Sequence, residues 1–208
     1  MALRLLLLRH AETDWNRAGR YQGWTDTDLS EVGRGQAEAA GRLLARQPLA
    51  AVWSSPLRRA RDTAAAIAGA QGLAVKEHAA FMEMRFGDWE GLTRAEVAAR
   101  FSEEHQAWLD TPHLVARAGG ETLDEVRRRV LDGLEELKRT HDGETICLVA
   151  HDISARILIL EALGLGLERL WSLQVSSTGI SELEFRPDWT ALHRMNTLAH
   201  LESAPATP

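Results

Sequence analysis

The chain has 208 residues, of which 45% are hydrophobic and 26% charged, the balance of one water-soluble α/β domain with a core large enough to need no staples. Its 24 basic and 30 acidic residues leave a net charge of -6, which argues against nucleic acid and anionic membranes as general partners. The single cysteine, Cys147, excludes an intramolecular disulfide and fits a cytoplasmic location.

The opening run Leu3–Leu8 is continuously apolar, too short to cross a bilayer and without a signal cleavage site. It reads as a strand covered on both faces. A polar stretch from Ala11 to Ser30 lacks periodicity and reads as a functional loop. A helix is predicted over Val32–Arg46, with Ser30 as its N-cap, then a strand over Leu49–Ser54. Pro56 is expected in the first turn of a helix reaching Ala70, which Gly72 closes in a left-handed conformation. Leu73–Lys76 carries a weaker strand pattern, and Thr93–Phe101 and Glu103–Leu109 two short helices.

Thr122 and Glu125 have capping-box spacing. Leu123, Val126, Val130, Leu134 and Leu137 then form one apolar stripe of a helix ending near His141–Gly143. Thr145–Ala150 is a buried strand holding an inert Cys147, followed by a helix over Ile153–Leu163. Ile180–Phe185 and Ala191–Met195 suggest a hairpin at the sheet edge. Residues 1–202 therefore read as one domain and 203–208 as a disordered tail.

Chemistry concentrates where strands end. Arg9 and His10 leave the first strand, His151 leaves the strand Thr145–Ala150, and Arg58 and Arg59 follow Leu49–Ser54. Ligands of open α/β sheets collect at such edges. Guanidinium forks match phosphate oxygens, and the N–H groups of a helix beginning near Asp152 favour an anion. Together these residues predict one phosphate-sized pocket.

The run Arg9-His10-Ala11-Glu12-Thr13-Asp14-Trp15-Asn16 strongly resembles the signature of the histidine phosphatase superfamily, which includes the phosphoglycerate mutases. Three later blocks resemble it in order: Ser54–Ala64, Met82–Gly91 and Val149–His151. The resemblance spans roughly residues 4–201 and implies a three-layer α/β/α sandwich with a mostly parallel central sheet. It assigns His10 as the nucleophile that becomes a phosphohistidine, and Arg9, Arg59 and His151 as holders of the phosphoryl group. Asn16 helps from the loop, and Glu83 is the general acid. Gln22 and Gly23 fall where the family's loop approaches substrate, and the Asp152 N–H is placed to serve the phosphate. Arg58 is expected on the surface.

Phosphoryl transfer needs positioning and charge neutralisation, which two arginines and a second histidine supply with no cofactor or metal. Protonating the leaving oxygen requires Glu83 to have a raised pKa. Two positions depart from the family's pattern, Ala11 and Asp152 standing where glycine is common. Ala11 fits if its φ is negative, whereas the Asp152 carboxylate disfavours a second anion on the substrate.

Mutases of the family carry a basic insertion after the acid. Here the stretch from Arg94 to Gly120 is short, with Arg100 and Arg117 its later basic residues, so a phosphatase acting on small phosphate monoesters is expected. Thr111–Leu114 and Gly119–Glu121 resemble a broad-specificity bacterial branch, and Trp24, Phe86, Trp108 and Leu114 suggest an apolar wall. His113 is the remaining histidine best placed for a substrate contact. The alternatives are a mutase, a non-catalytic phosphate-binding module, and a metal hydrolase built on His10, Glu12 and His151, which Arg9 and Arg59 oppose.

Overall fold

The computed structural model describes residues 2–202, so the expected disordered tail lies outside the described residues. Six strands form one sheet: β1 (Leu3–Arg9), β2 (Ala51–Ser54), β3 (Val75–Glu77), β4 (Thr145–Ala150), β5 (Ile180–Phe185) and β6 (Thr190–Thr197). Their order is β3-β2-β4-β1-β5-β6. The pairs β1–β4, β2–β4 and β2–β3 are parallel, whereas β1–β5 and β5–β6 are antiparallel. The predicted mostly parallel sheet with an edge hairpin is therefore present.

Side chains alternate along a strand, so β1 feeds two cores. Leu5 and Leu7 pack with Ile146 and Leu148 against α6 (Leu123–Thr140) and α7 (Asp152–Ala162). Leu6 and Leu8 pack with Val52, Cys147 and Val149 against α2 (Glu31–Leu44) and α3 (Arg58–Gly69). Helices cover both faces, as the continuous apolar strands required. Cys147 is fully buried, and burial pushes its thiol up to about 12, so it is inert as a nucleophile.

Local chemistry accounts for most helix limits. Ser30 caps α2 through the N–H of Gly33, and Thr122 and Glu125 form the expected capping box of α6. Gly72 adopts φ +68° two residues past the Ala70 C-cap of α3. Pro56 lies just before α3, whose N-cap is Leu57, so the proline precedes the first turn expected for it. The stretch 11–30 holds a short helix, α1 (Asp14–Arg17), that its composition did not predict. It rests on reciprocal hydrogen bonds between Thr13 and Asn16, a local device without apolar periodicity. The segment after Glu83 is built from α4 (Arg94–Arg100), α5 (Ser102–Asp110) and short 3-10 turns.

Candidate active site

Backbone ladders carry the sheet directly into the site. The N–H of His10 donates to Ala150 O at 2.9 Å, and that of Ser55 to Val149 O at 3.1 Å. The ends of β1, β4 and β2 thus sit side by side and bring His10, His151 and the start of α3 together. The two imidazoles lie with ring centroids 5.1 Å apart.

The tautomer of His10 follows from one contact. Its Nδ1 lies 2.7 Å from Ala11 O, and a carbonyl only accepts, so Nδ1 carries the proton. Nε2 keeps its lone pair. Burial, then the charges of Arg59 and Arg9, hold the His10 pKa well below its ordinary range, so the ring is neutral at neutral pH. Ala11 is buried and its N–H donates to Thr63 Oγ at 2.9 Å. Thr178 and Asn196 are the non-glycine residues with positive φ among those described, so Ala11 meets the condition set for it.

His151 is fully buried, with Nε2 2.8 Å from Ser55 Oγ. The same hydroxyl accepts the Leu57 N–H at 3.2 Å, and the imidazole is the acceptor left for its own proton. The ring proton then resides on Nδ1, which is buried without a protein partner. Burial, Arg59 and His10 keep this imidazole neutral as well.

Arg59 has no exposed surface. Its guanidinium donates to Gly23 O at 2.7 Å and Thr25 O at 3.0 Å, leaving Nε unpartnered. Burial lowers its pKa to about 10, so it remains a cation at neutral pH. Arg9 donates to Val175 O at 2.9 Å and also keeps a buried, unpartnered Nε. The adjacent Arg58 is exposed and pairs with Asp28 at 2.8 Å, the surface role expected of it.

Glu83 is buried at the N-terminus of α7. Its carboxylate accepts the N–H groups of Met84 at 2.8 Å, Asp152 at 3.0 Å and Ile153 at 3.2 Å. Burial and the Asp152 charge raise its pKa, opposed by the Met84 N–H, Arg59 and Arg9. The anion site of α7 is thus filled by a carboxylate from the protein itself, and the Asp152 N–H serves Glu83. The Asp152 side chain lies 3.1 Å from Arg156 and 3.6 Å from Arg9. The two arginines offset part of its charge, which still acts on Glu83.

The loop residues act differently from the strand ends. Thr13 Oγ reaches the amide oxygens of Asn16 at 3.0 Å and Gln22 at 3.1 Å, and Thr27 adds a bond to Gln22 at 2.6 Å. Both amide oxygens are engaged, leaving the NH₂ groups as the donors available to an anion. Gly23 contributes a carbonyl to Arg59 at φ +56°, and a Cβ there would fall 2.0 Å from Glu90 Oε1. Glu90 itself accepts the N–H groups of Trp24, Thr25 and Phe86 and the Thr25 hydroxyl, so it pins this loop. Sequence reasoning missed Glu90 and Ser55, although both lie inside blocks that carry the family resemblance.

Of the expected apolar wall, Trp24 and Leu114 are exposed, whereas Phe86 and Trp108 are buried. Those two rings and Trp89 enclose the Arg117 guanidinium at 4.4 to 5.3 Å, so they are packing residues. His113 is half-buried in the turn Pro112–Leu114. Glu12, the third ligand of a supposed metal site, accepts the Ser30 hydroxyl at 2.9 Å. Among the described residues, no group of three His, Cys, Asp or Glu side chains is arranged to hold a metal ion.

A neutral imidazole with a free lone pair, set among buried cationic donors, defines a phosphoryl-transfer site on an α/β/α scaffold. Residues 5–198 match the model of the histidine phosphatase superfamily, branch 1. The chain is 36% identical over 199 residues to phosphoserine phosphatase 1 of Hydrogenobacter thermophilus, covering 96% of this chain and 94% of that one. It is 41% identical over 174 residues to glucosyl-3-phosphoglycerate phosphatase of Mycolicibacterium vanbaalenii, covering 78% and 75% of the two chains. The solved structure of Bacillus stearothermophilus YhfR superposes with a TM-score of 0.91 at 30% identity, covering 96% of this chain and 100% of that chain. The chain belongs to the histidine phosphatase superfamily, and it is a phosphatase.

Proposed function

We propose that the protein hydrolyses small phosphate monoesters through a phosphohistidine on His10, with Glu83 as general acid and Arg9, Arg59 and His151 holding the phosphoryl group. The supporting observation is a single constellation. His10 Nε2 keeps its lone pair, while Arg9 Nε, Arg59 Nε and His151 Nδ1 are buried donors without protein partners. Buried donors of this kind call for an acceptor, and a phosphoryl group supplies several oxygens.

In the first step His10 Nε2 bonds to phosphorus as the ester P–O bond breaks, and Glu83 gives its proton to the departing alkoxide. In the second, the Glu83 carboxylate takes a proton from water, whose oxygen bonds to phosphorus as the P–N bond breaks. His10 is regenerated and inorganic phosphate leaves. The arginines neutralise charge on the transferred group in both steps. Asn16 and Gln22 supply amide donors at the rim, and Gly23 acts through Arg59. The Asp152 N–H holds Glu83 at the helix end until substrate enters.

The reading has residues 1–202 as one domain, a cytoplasmic protein acting without cofactor, nucleic acid or membrane. Among the described residues no helix is long and apolar enough to cross a membrane. The names of the relatives place phosphoserine and glucosyl-3-phosphoglycerate first on the substrate panel.

Labelled substrate should yield an acid-labile phosphoenzyme that His10→Ala abolishes, with activity unchanged by a strong chelator. The Glu83→Gln variant should lose the basic limb of the kcat/KM profile, because that limb reports the acid's proton. Normal turnover by His10→Ala would overturn the reading. Efficient interconversion of phosphoglycerate isomers with little hydrolysis would turn it into a mutase.

A further inference from the structure

The segment carrying Glu83 belongs to neither sheet nor helix. It leaves a 3-10 turn at Ala79–Phe81 and re-enters one at Gly87–Trp89. An isolated bridge between Phe86 and Gly120, with the Glu121 N–H donating to Arg85 O at 2.8 Å, holds its far end, and one side chain on α6 supports the rest. Arg129 NH1 donates to Ala80 O at 2.7 Å and Met82 O at 2.8 Å, and NH2 to Glu83 O at 2.9 Å. Its remaining two donors, on Nε and NH2, meet Glu121 Oε1 at 2.8 Å and Oε2 at 2.9 Å. All five guanidinium donors are used. Glu121 Oε2 also accepts the N–H of Arg85 at 2.8 Å, and Trp24 Nε1 adds a second bond to Glu83 O at 2.8 Å.

We propose that Arg129 and Glu121 are positioning residues for the general acid, a two-residue clamp that holds the backbone of residues 80–85 so that the Glu83 carboxyl faces the leaving oxygen. The proposal rests on the reading of Glu83 as that acid. The clamp is anchored where the protein is rigid, since Arg129 is flanked on α6 by the core residues Val126 and Val130. Its geometry suits arginine alone. A lysine ammonium has three donors on one nitrogen and cannot span three carbonyls and a bidentate carboxylate together. Neither member is placed to touch substrate, so their effect must travel through Glu83. A misplacement of about 1 Å costs a reacting group up to about 100-fold.

The test compares two esters on the same enzyme. An alkyl phosphate needs its leaving oxygen protonated, whereas a 2,4-dinitrophenyl phosphate leaves as a stable anion. kcat/KM reports the chemistry up to release of the alcohol, before water enters, and any misfolded fraction cancels in the ratio of the two esters. For Arg129→Lys and Glu121→Gln we expect kcat/KM to fall about 10- to 100-fold for the alkyl ester and less than about 3-fold for the dinitrophenyl ester. Glu83→Gln should show the same selectivity, more strongly. If it does and both clamp variants lower the two esters equally, or neither, the clamp proposal is overturned. If Glu83→Gln is itself unselective, Glu83 is not the acid and the proposal falls with that reading.

Discussion

Ser55 Oγ and His151 Nε2 lie 2.8 Å apart, joining residues separated by 96 positions in the chain. Because this hydroxyl also accepts the Leu57 N–H, it orients its proton toward the imidazole and sets the His151 tautomer. Ser55→Ala removes that donor and lets the ring place its proton on Nε2, away from the phosphoryl group. The expected result is a fall of about tenfold in kcat/KM with the fold intact, the size of one net hydrogen bond. Nitrogen chemical shifts of the His151 ring should show the tautomer change.

Substituting Gly23 tests how Arg59 is held. A side chain there faces both the φ of +56° and a Glu90 oxygen 2.0 Å from the Cβ position. In Gly23→Ala the loop must shift, and the carbonyls of Gly23 and Thr25 cease to align on the guanidinium. Stability should fall by about 1–3 kcal/mol, the cost of a strained backbone residue. Inhibition by inorganic phosphate should weaken about tenfold through the loosened arginine.

Stability should fall as the solution is acidified below pH 6.5. Both His10 and His151 are held well below that ordinary value by burial and nearby arginines. The unfolded chain therefore takes up two protons that the folded chain refuses, which favours unfolding as pH falls. Glu83 acts in the opposite sense. Its raised pKa lets the folded chain keep a proton above 4.5 that the unfolded chain has lost. Between 4.5 and 6.5 the two histidines outweigh the one carboxyl, so stability falls with acidification and Glu83 lessens the slope. Denaturant titrations across that window should show it, and His10→Gln should flatten it by one proton.

Arg117 is a buried cation whose pKa burial lowers to about 10, with Nε and NH1 unpartnered. It lies among Phe86, Trp89 and Trp108, with NH2 3.2 Å from the Met84 sulfur. Its charge costs desolvation that the three rings only partly return. Arg117→Met keeps the length, relieves the charge and retains sulfur–aromatic contacts, so unfolding free energy should stay within about 1 kcal/mol. Arg117→Ala opens a cavity between the rings and should cost about 2–4 kcal/mol. Thermal unfolding of the two variants separates volume from charge.

Local patterns carried the elements and the candidate site residues. Leu3–Leu8 and Thr145–Ala150 announce buried strands because every face of them is apolar, and the Thr122–Glu125 spacing announces the start of α6. His10, Glu83 and His151 were legible because each sits in a short contiguous motif. Tertiary structure alone decided the partners: Ser55 on His151, the carbonyls of Gly23 and Thr25 on Arg59, and α7 on the Glu83 carboxylate. It also decided that Arg129, on α6, bonds both the Glu121 carboxylate and the Glu83 carbonyl. The Ser55, Arg59, Glu83 and Arg129 contacts join positions 34 to 96 residues apart, so no periodicity or spacing encodes them. They exist because folding brings strand ends and helix termini into one low-dielectric pocket, where each buried polar group must find its complement.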